Sequence, residues 1–175
     1  EFDLNFAEQP LPAYDIEGQL RLRAQSPVPI IADHGAMSVA EAFAAIKADA
    51  YDGAHCLLCR VGGVYRATKW ADLMDVSYSD YQICNQGNSI AAAISAHFAV
   101  SRKKTGRFND ELGLFLYLHD TTDTQTITDD IVTNCGFTIS DGVLHSPTGP
   151  GLGMEIDQDA LDTLTSSAIA PIFVR

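Results

Sequence analysis

The chain alternates short apolar runs with longer segments in which apolar residues recur at helical spacing. The apolar runs are candidate buried strands, and they start near Asp3, Val28, Gly53, Tyr81 and Gly113. The first four starts recur about every 25 residues, and each interval holds one helical segment. A βα unit repeated at this period predicts a parallel sheet with crossover helices, which forms either an open doubly wound sheet or a closed barrel.

Start signals precede the predicted helices. Helices are predicted over residues 15–25, 38–48, 64–74 and 90–100. Asp15 is the expected N-cap of the first helix. Ser38 and Glu41 form a capping box at the second, and Asn88 or Ser89 caps the fourth.

Two of these helices carry an apolar face. Val39, Phe43 and Ile46 recur at helical spacing in the second helix, as Trp70 and Leu73 do in the third. We expect both sets of side chains to pack against the sheet, because an amphipathic helix turns its apolar stripe toward the core.

The pattern changes after residue 128. A turn at Asp141-Gly142 joins two short strand-like runs and predicts a β-hairpin over residues 137–145. An irregular loop over 147–153 and a short capped helix over 157–164 follow. We therefore divide the chain into residues 1–128 and residues 129–175.

The composition is that of a globular protein with an acidic surface. Hydrophobic residues make up 46% of the 175 residues and charged residues 19%, which suits one domain with a buried core. The net charge of −12 argues against non-specific binding to nucleic acid or anionic membranes, because both need basic patches. The chain has no signal-peptide pattern, and no apolar run approaches the roughly 20 residues of a membrane span. We therefore expect a cytoplasmic protein with neither a nucleic-acid nor a membrane partner.

Two short motifs lack the pattern that would make them functional. Cys56-Leu-Leu-Cys59 has the CxxC form, but no second CxxC and no His pair at metal-ligand spacing accompany it. We interpret the four cysteines, most of which lie in apolar runs, as buried free thiols. Gly62-Gly63 belongs to neither a GxGxxG nor a P-loop motif, so it predicts a tight turn rather than a phosphate-binding loop.

A carboxylate ends each of the first two apolar runs. Glu8 and Asp33 are both followed at once by turn residues. Neighbouring parallel strands deliver such residues to the same edge of a sheet or the same mouth of a barrel. Two carboxylates at that place predict a site for a hard divalent cation such as Mg²⁺.

Six short motifs follow one another between residues 8 and 153, and the pattern to which they belong extends from Asp3 to about Leu164. They are Glu8-Gln9-Pro10-Leu11, Ala32-Asp33, Val61-Gly62-Gly63, the run 89–93, Asp129-Asp130-Ile131 and the run 149–153. In order and spacing they resemble the muconate-lactonizing and mandelate-racemase branch of the enolase superfamily. Each motif is weak alone, but six in register are specific.

The resemblance implies an α/β fold that comprises the C-terminal part of a modified (β/α) barrel. Residues 1–128 would supply about strands four to eight, and residues 129–175 would end the barrel and pack on the capping domain. The capping domain, the first three strands, the third metal carboxylate and the second-strand lysine of the family would lie outside this chain. We therefore expect stability only beside a complementary chain, a second copy in an oligomer, or a missing N-terminal half, because a half-barrel leaves open sheet edges.

Family chemistry is removal of the proton α to a carboxylate, with Mg²⁺ stabilising the negative charge that develops. The implied outcomes are racemisation, epimerisation, dehydration or cycloisomerisation of a small carboxylate, either amino-acid-like or a hydroxy acid. Glu8 and Asp33 match two of the three metal ligands of the family.

Three positions depart from the family pattern. Leu57 stands at the position of the sixth-strand catalytic lysine, with Arg60 at the outer basic position. His34 replaces the acidic residue that follows the fifth-strand ligand, and Gly87-Asn88 replaces a Glu-Ser pair. Leucine cannot transfer a proton, so a non-catalytic member that keeps the fold without turnover is the alternative hypothesis.

Two histidines are candidates to replace the missing lysine. His34 follows a metal ligand and His55 precedes Leu57 by two residues, so both are expected near the same mouth, and imidazole titrates near neutral pH. The alternative is that both histidines hydrogen-bond loop backbone. Asn85 and Gln86, together with Arg60, are candidate contacts to a substrate carboxylate or to ordered water; ordinary loop capping is the alternative for the two amides.

Overall fold

Four parallel strands form the centre of the fold. A computed structural model describes residues 3–77, 79–84, 88–102, 131–134, 136, 138–141 and 143–167. The strands are β1 (Ala7–Glu8), β2 (Ile30–Ala32), β3 (Gly53–Leu57) and β4 (Asp80–Cys84). They lie in the order β1-β2-β3-β4, and all three pairings are parallel. The predicted parallel sheet is confirmed, whereas the strand predicted from Gly113 lies outside the described residues.

A helix follows each strand, as the repeated βα pattern predicts. The helices are α1 (Ile16–Gln25), α2 (Val39–Ala48), the single turn α3 (Leu58–Val61), α4 (Val64–Val76) and α5 (Ser89–Val100). Within the described part of the chain, no helix has the length and apolar character needed to span a bilayer.

The predicted helix starts have the expected capping bonds. Asp15 Oδ1 accepts the N–H of Gly18 at 2.9 Å. Ser38 and Asn88 accept the N–H three residues further on in the same way, each at 3.2 Å. The structure thus selects Asn88 over Ser89 as the cap of α5, because its side chain satisfies an N–H group that has no partner within the helix.

The hydrophobic core lies between the sheet and the helices. Ala54 and Cys56 of β3 face it together with Tyr81 of β4. Trp70 of α4 is fully buried there, and its Nε1 donates to the carbonyl of Ala36 at 2.8 Å. Since successive residues of a strand point to opposite faces, His55 lies on the other face of the sheet, which we call the inner face.

One residue of the predicted apolar face of α2, Phe43, was placed wrongly. Phe43 of α2 is 57% exposed, whereas Val39 and Ile46 pack against the core. The buried residues of α2 are Ala42 and Ala45, so the helix approaches the sheet along a stripe of small side chains. Phe43 follows Ala42 by one residue, which is about 100° around the helix, and so points away from the sheet.

The described C-terminal part contains two short pairs of antiparallel strands and a helix. They are β5 (Val132–Asn134) with β8 (Glu155–Ile156), and β6 (Thr138–Ser140) with β7 (Val143–His145). The β6–β7 pair confirms the predicted hairpin. Helix α6 (Gln158–Ser167) follows, where a shorter helix over 157–164 was expected.

The cysteines agree in part with the prediction of buried thiols. Cys56 and Cys84 are buried, Cys59 is exposed, and none of the three forms a disulfide. Burial raises the pKa of the Cys56 thiol to about 12. Cys135 lies outside the described residues.

Candidate active site

The two predicted metal carboxylates lie at the same edge of the sheet. Glu8 is the last residue of β1, and Asp33 follows the last residue of β2. The parallel register pairs Glu8 with Ile31, two residues before Asp33. Asp33 is buried, while the Glu8 side chain is 46% exposed. The strand ends therefore bring together two carboxylates of different solvent exposure.

The two carboxylate oxygens of Asp33 have different surroundings. Oδ2 lies 2.6 Å from Nδ1 of His34. Oδ1 is buried and has no hydrogen-bond partner among the described residues. A buried carboxylate oxygen without a partner is costly, because nothing replaces the water that it loses. Oδ1 is therefore suited to bind a cation.

His34 links Asp33 to Arg60. Its Nε2 lies 2.8 Å from Nη1 of Arg60, an exposed residue of the turn α3. A guanidinium group has only donors, so Nε2 of His34 accepts a hydrogen bond from Arg60. Nδ1 of His34 then carries the ring hydrogen and donates a hydrogen bond to Oδ2 of Asp33. The lone pair of the neutral ring is occupied in this arrangement, and His34 orients the Asp33 carboxylate.

His55 lies on the inner face of β3. It is 3% exposed, its Nδ1 is 3.4 Å from Oε1 of Glu8, and Phe6 meets its ring edge-to-face at 6.2 Å between centroids. Its Nε2 is buried and has no hydrogen-bond partner in the described part of the chain. Leu57, two residues later on the same face, is also buried. His55 thus lies about 6.6 Å deeper along the strand than Leu57.

Gln82 is a candidate that the sequence analysis missed. It pairs with His55 across β3 and β4 and is 2% exposed. Neither polar atom of its side-chain amide has a hydrogen-bond partner within the described ranges. A signal was present in the sequence. Gln82 is a polar residue within the apolar run of β4, and it lies between Tyr81 and Ile83, which face the core, so it must face the other side of the sheet.

Of the three remaining predicted site residues, the structure describes only Arg60, which contacts His34. Asn85 and Gln86 lie outside the described residues, so their roles stay predictions. Gln9 has a role that was not predicted from the sequence, because its side chain accepts the backbone N–H groups of Asp33 and Gly35.

The site offers two of the ligands that a bound cation needs. Among the described residues, no three His, Cys, Asp or Glu side chains come together as a metal cluster. The carboxylates of Glu8 and Asp33 at one edge, with the unpartnered Oδ1 of Asp33, fit two oxygen ligands of a hard cation.

Comparison with known proteins identifies the family. A family model described as enolase C-terminal domain-like matches residues 1–160. The chain belongs to this family. The resemblance to the muconate-lactonizing and mandelate-racemase branch is thereby confirmed, as is the predicted fold class, because the similar solved structures are barrel enzymes of that branch.

Named enzymes are among the relatives of this enolase-superfamily chain. It is 28% identical to an N-succinyl-L-Arg/Lys racemase of Bacillus cereus, over 93% of this chain and 41% of the racemase. It is also 28% identical to a chloromuconate cycloisomerase of Pseudomonas putida, with the same coverage of both chains. A mandelate racemase/muconate lactonizing family protein from Azoarcus sp. EbN1 has a TM-score of 0.82 at 30% identity, over 96% of this chain and 45% of that one.

The chain spans about two fifths of the length of these curated relatives. Racemases, epimerases and cycloisomerases occur among them. The division at residue 129 stays a prediction.

Proposed function

We propose that the native protein removes the proton α to the carboxylate of a small substrate, in a racemisation, epimerisation, dehydration or cycloisomerisation. By native protein we mean this chain with any further segment or chain that accompanies it. The observation that carries the proposal is the pair Glu8 and Asp33 at one sheet edge, with the buried Oδ1 of Asp33 lacking a partner among the described residues. The reactions of the relatives support this class of chemistry.

Glu8 and Asp33 would hold Mg²⁺ through carboxylate oxygens. The bound cation supplies positive charge beside the substrate carboxylate, which lowers the cost of the negative charge that develops there. His34, which is itself held by Arg60, binds the second oxygen of Asp33, so that Oδ1 stays available to the ligand. Arg60, Asn85 and Gln86 are the proposed contacts to the substrate.

His55 is the proposed proton-transfer residue. Its Nε2 is without a partner among the described residues, whereas the lone pair of His34 is engaged by Arg60. Glu8 lies near Nδ1 of His55 and can hold the ring in one orientation. Leu57 lies two residues further along β3 on the same face, and its buried apolar side chain would limit the access of water to the transferred proton.

Completion of the site needs groups from outside this chain. We propose that a further segment, a complementary chain or a second copy supplies a third carboxylate and the missing half of the barrel. Within the described residues β1 pairs only with β2, which leaves the other side of β1 for such a partner to pair with. Ile16 and Leu20 of α1 are 36% and 38% exposed, which is apolar surface that such a partner could cover. Oligomer formation and a cytoplasmic location stay predictions.

The alternative function is that of a non-catalytic family member. One observation favours it: buried Leu57 occupies the lysine position and cannot transfer a proton. Such a protein would keep the barrel and bind the cation without turnover.

Hydrogen exchange separates the two functions. The native protein is incubated in D₂O with Mg²⁺ and a panel of chiral amino-acid derivatives and hydroxy acids, and deuterium at the α-carbon is measured by NMR. We expect uptake that Glu8→Gln abolishes and that the control Glu17→Gln retains, because Glu17 lies on the exposed surface of α1. Uptake by none of the panel would favour the non-catalytic alternative.

A further inference from the structure

Gln9 uses its whole side-chain amide to join three segments around the candidate cation site. Its Oε1 accepts the backbone N–H groups of Asp33 and Gly35, both at 3.0 Å. Its Nε2 donates to the carbonyl of Leu11 at 2.9 Å and to the hydroxyl of Tyr51 at 3.0 Å. The three partner segments follow β1, follow β2 and precede β3.

These four bonds account for the full capacity of the amide. An amide oxygen has two lone pairs and an amide nitrogen two hydrogens, so Gln9 has none left for a cation or a substrate. Its backbone N–H is also engaged, with the carbonyl of Ile31 at 2.9 Å. Gln9 therefore acts on the site through other residues.

The backbone at Gln9 shows that this position is specialised. Its φ is +38°, a value that residues other than glycine adopt only when the surroundings enforce it. Gly35 has a related constraint, because a Cβ there would lie 2.5 Å from the hydroxyl oxygen of Tyr51. Gln9 and Tyr51 thus enclose the turn that follows Asp33 from two sides.

We propose that Gln9 is a positioning residue for cation binding, in that it fixes the backbone of Asp33 relative to Glu8. Glu8 precedes Gln9 directly, so one side chain ties the two carboxylate-bearing strand ends together. The Asp33 carboxylate is then set from the backbone by Gln9 and from Oδ2 by His34, which leaves the buried Oδ1 without a partner among the described residues. This inference rests on the proposed function, because it concerns the same cation.

Calorimetric titration of the native protein with Mg²⁺ tests the inference. Gln9→Met keeps the length of the side chain and removes all four bonds, and we expect the Mg²⁺ affinity to fall about tenfold or more, as for other residues that orient metal ligands. Gln9→Glu keeps an acceptor for both N–H groups but loses the two donated bonds and adds a negative charge, and we expect its affinity to fall less than that of Gln9→Met. Gln9→Asn keeps the amide but is one methylene shorter, and it replaces the Met variant if that variant does not fold.

Thermal unfolding in EDTA is the matched measurement. A purely structural role would lower the metal-free unfolding midpoint of Gln9→Met or Gln9→Asn and leave Mg²⁺ affinity unchanged. Tyr65→Phe, on the exposed face of α4, is the control and should bind Mg²⁺ within about threefold of the parent. Parent-like affinity in a folded Gln9→Met or Gln9→Asn variant overturns the inference while the proposed function stands. Absence of Mg²⁺ binding by the parent overturns both.

Discussion

Nδ1 of His55 lies 3.4 Å from the carboxylate of Glu8, although β2 separates their two strands in the sheet. Adjacent strands are about 4.8 Å apart, so β1 and β3 would be about twice that distance apart in a flat sheet. Both side chains extend over the inner face and meet above β2, as they do on the concave side of a curved sheet. Because of this contact, His55 lies on the inner face beside a proposed metal ligand, which is the place expected of a proton-transfer residue.

Substitution of His55 tests that role. We expect His55→Asn to slow α-proton exchange of an active substrate about a hundredfold or more, because Asn can keep the contact to Glu8 but cannot transfer the proton. Deuterium uptake measured by NMR gives the rate. His145→Asn in the exposed hairpin is the control and should exchange at the parent rate. A His55→Asn variant with parent-like exchange would remove His55 from the reaction.

Trp70 is expected to be a major source of stability. Trp70→Phe removes the bond from Nε1 to the carbonyl of Ala36 and leaves a cavity in a fully buried site. We expect the free energy of unfolding to fall by about 2–3 kcal/mol in urea titrations. Tyr65→Phe on the exposed face of the same helix should change it by less than about 0.5 kcal/mol. Equal stabilities of the two variants would contradict the prediction.

Asp52 joins the start of β2 to α1. Its Oδ2 accepts the N–H of Ile30 at 2.8 Å, and its Oδ1 accepts from Nε of Arg23 at 2.9 Å. We expect Asp52→Ala to lower the free energy of unfolding by about 2 kcal/mol, because both donors lose a charged acceptor. Glu17→Ala, which breaks only an exposed ion pair with Arg21, should cost less than about 1 kcal/mol. Urea titration of both variants makes the comparison.

Stability should fall in alkaline solution because of buried Cys56. Burial raises the pKa of its thiol from 9.0 to about 12, so between these values the unfolded chain is deprotonated while the folded chain keeps the proton. The contribution of the protonated Cys56 thiol to the free energy of unfolding is therefore complete below pH 9. It is lost as pH rises toward 12, by about 1.4 kcal/mol per pH unit. The pKa of Tyr81 is raised in the same direction, chiefly by burial.

Cys56→Ala isolates the contribution of this thiol. We expect the free energy of unfolding of this variant to fall less steeply between pH 9 and 12 than that of the parent. Cys59→Ala is the control, because Cys59 is exposed and is the smallest of the influences on the pKa of Cys56, so this variant should change the slope much less than Cys56→Ala. Parallel curves for the parent and Cys56→Ala would show that the thiol does not govern alkaline unfolding.

Local signals in the sequence predicted the features that depend on neighbouring residues. The caps at Asp15 and Ser38 each use an N–H three residues away, so their sequence context contains both partners. The shared edge of Glu8 and Asp33 followed from the parallel order of the strands. Phe43 was predicted wrongly because helical spacing alone does not determine which of two adjacent stripes meets the sheet.

Features that depend on distant partners were not predictable in this way. Gln9 contacts Asp33 and Tyr51, which lie 24 and 42 residues further along the chain. His34 and Arg60 are 26 residues apart, and their contact determines which ring nitrogen of His34 accepts. Sequence can name such residues as candidates, but their roles follow only from the packing of the strand ends.

Leu57 provides the most direct test of whether the remaining site can support proton transfer. It ends β3, is buried on the inner face and pairs with Cys84 in register. We expect Leu57→Lys to raise the α-proton exchange rate of the native protein about a hundredfold for a substrate that it binds, because an amine at this position adds a proton-transfer group near the carboxylate-bearing edge. Leu57→Met matches the volume without adding such a group and should exchange at the parent rate. A folded Leu57→Lys variant that binds Mg²⁺ but shows no gain over Leu57→Met would show that more than the lysine has been lost, and would favour the non-catalytic alternative.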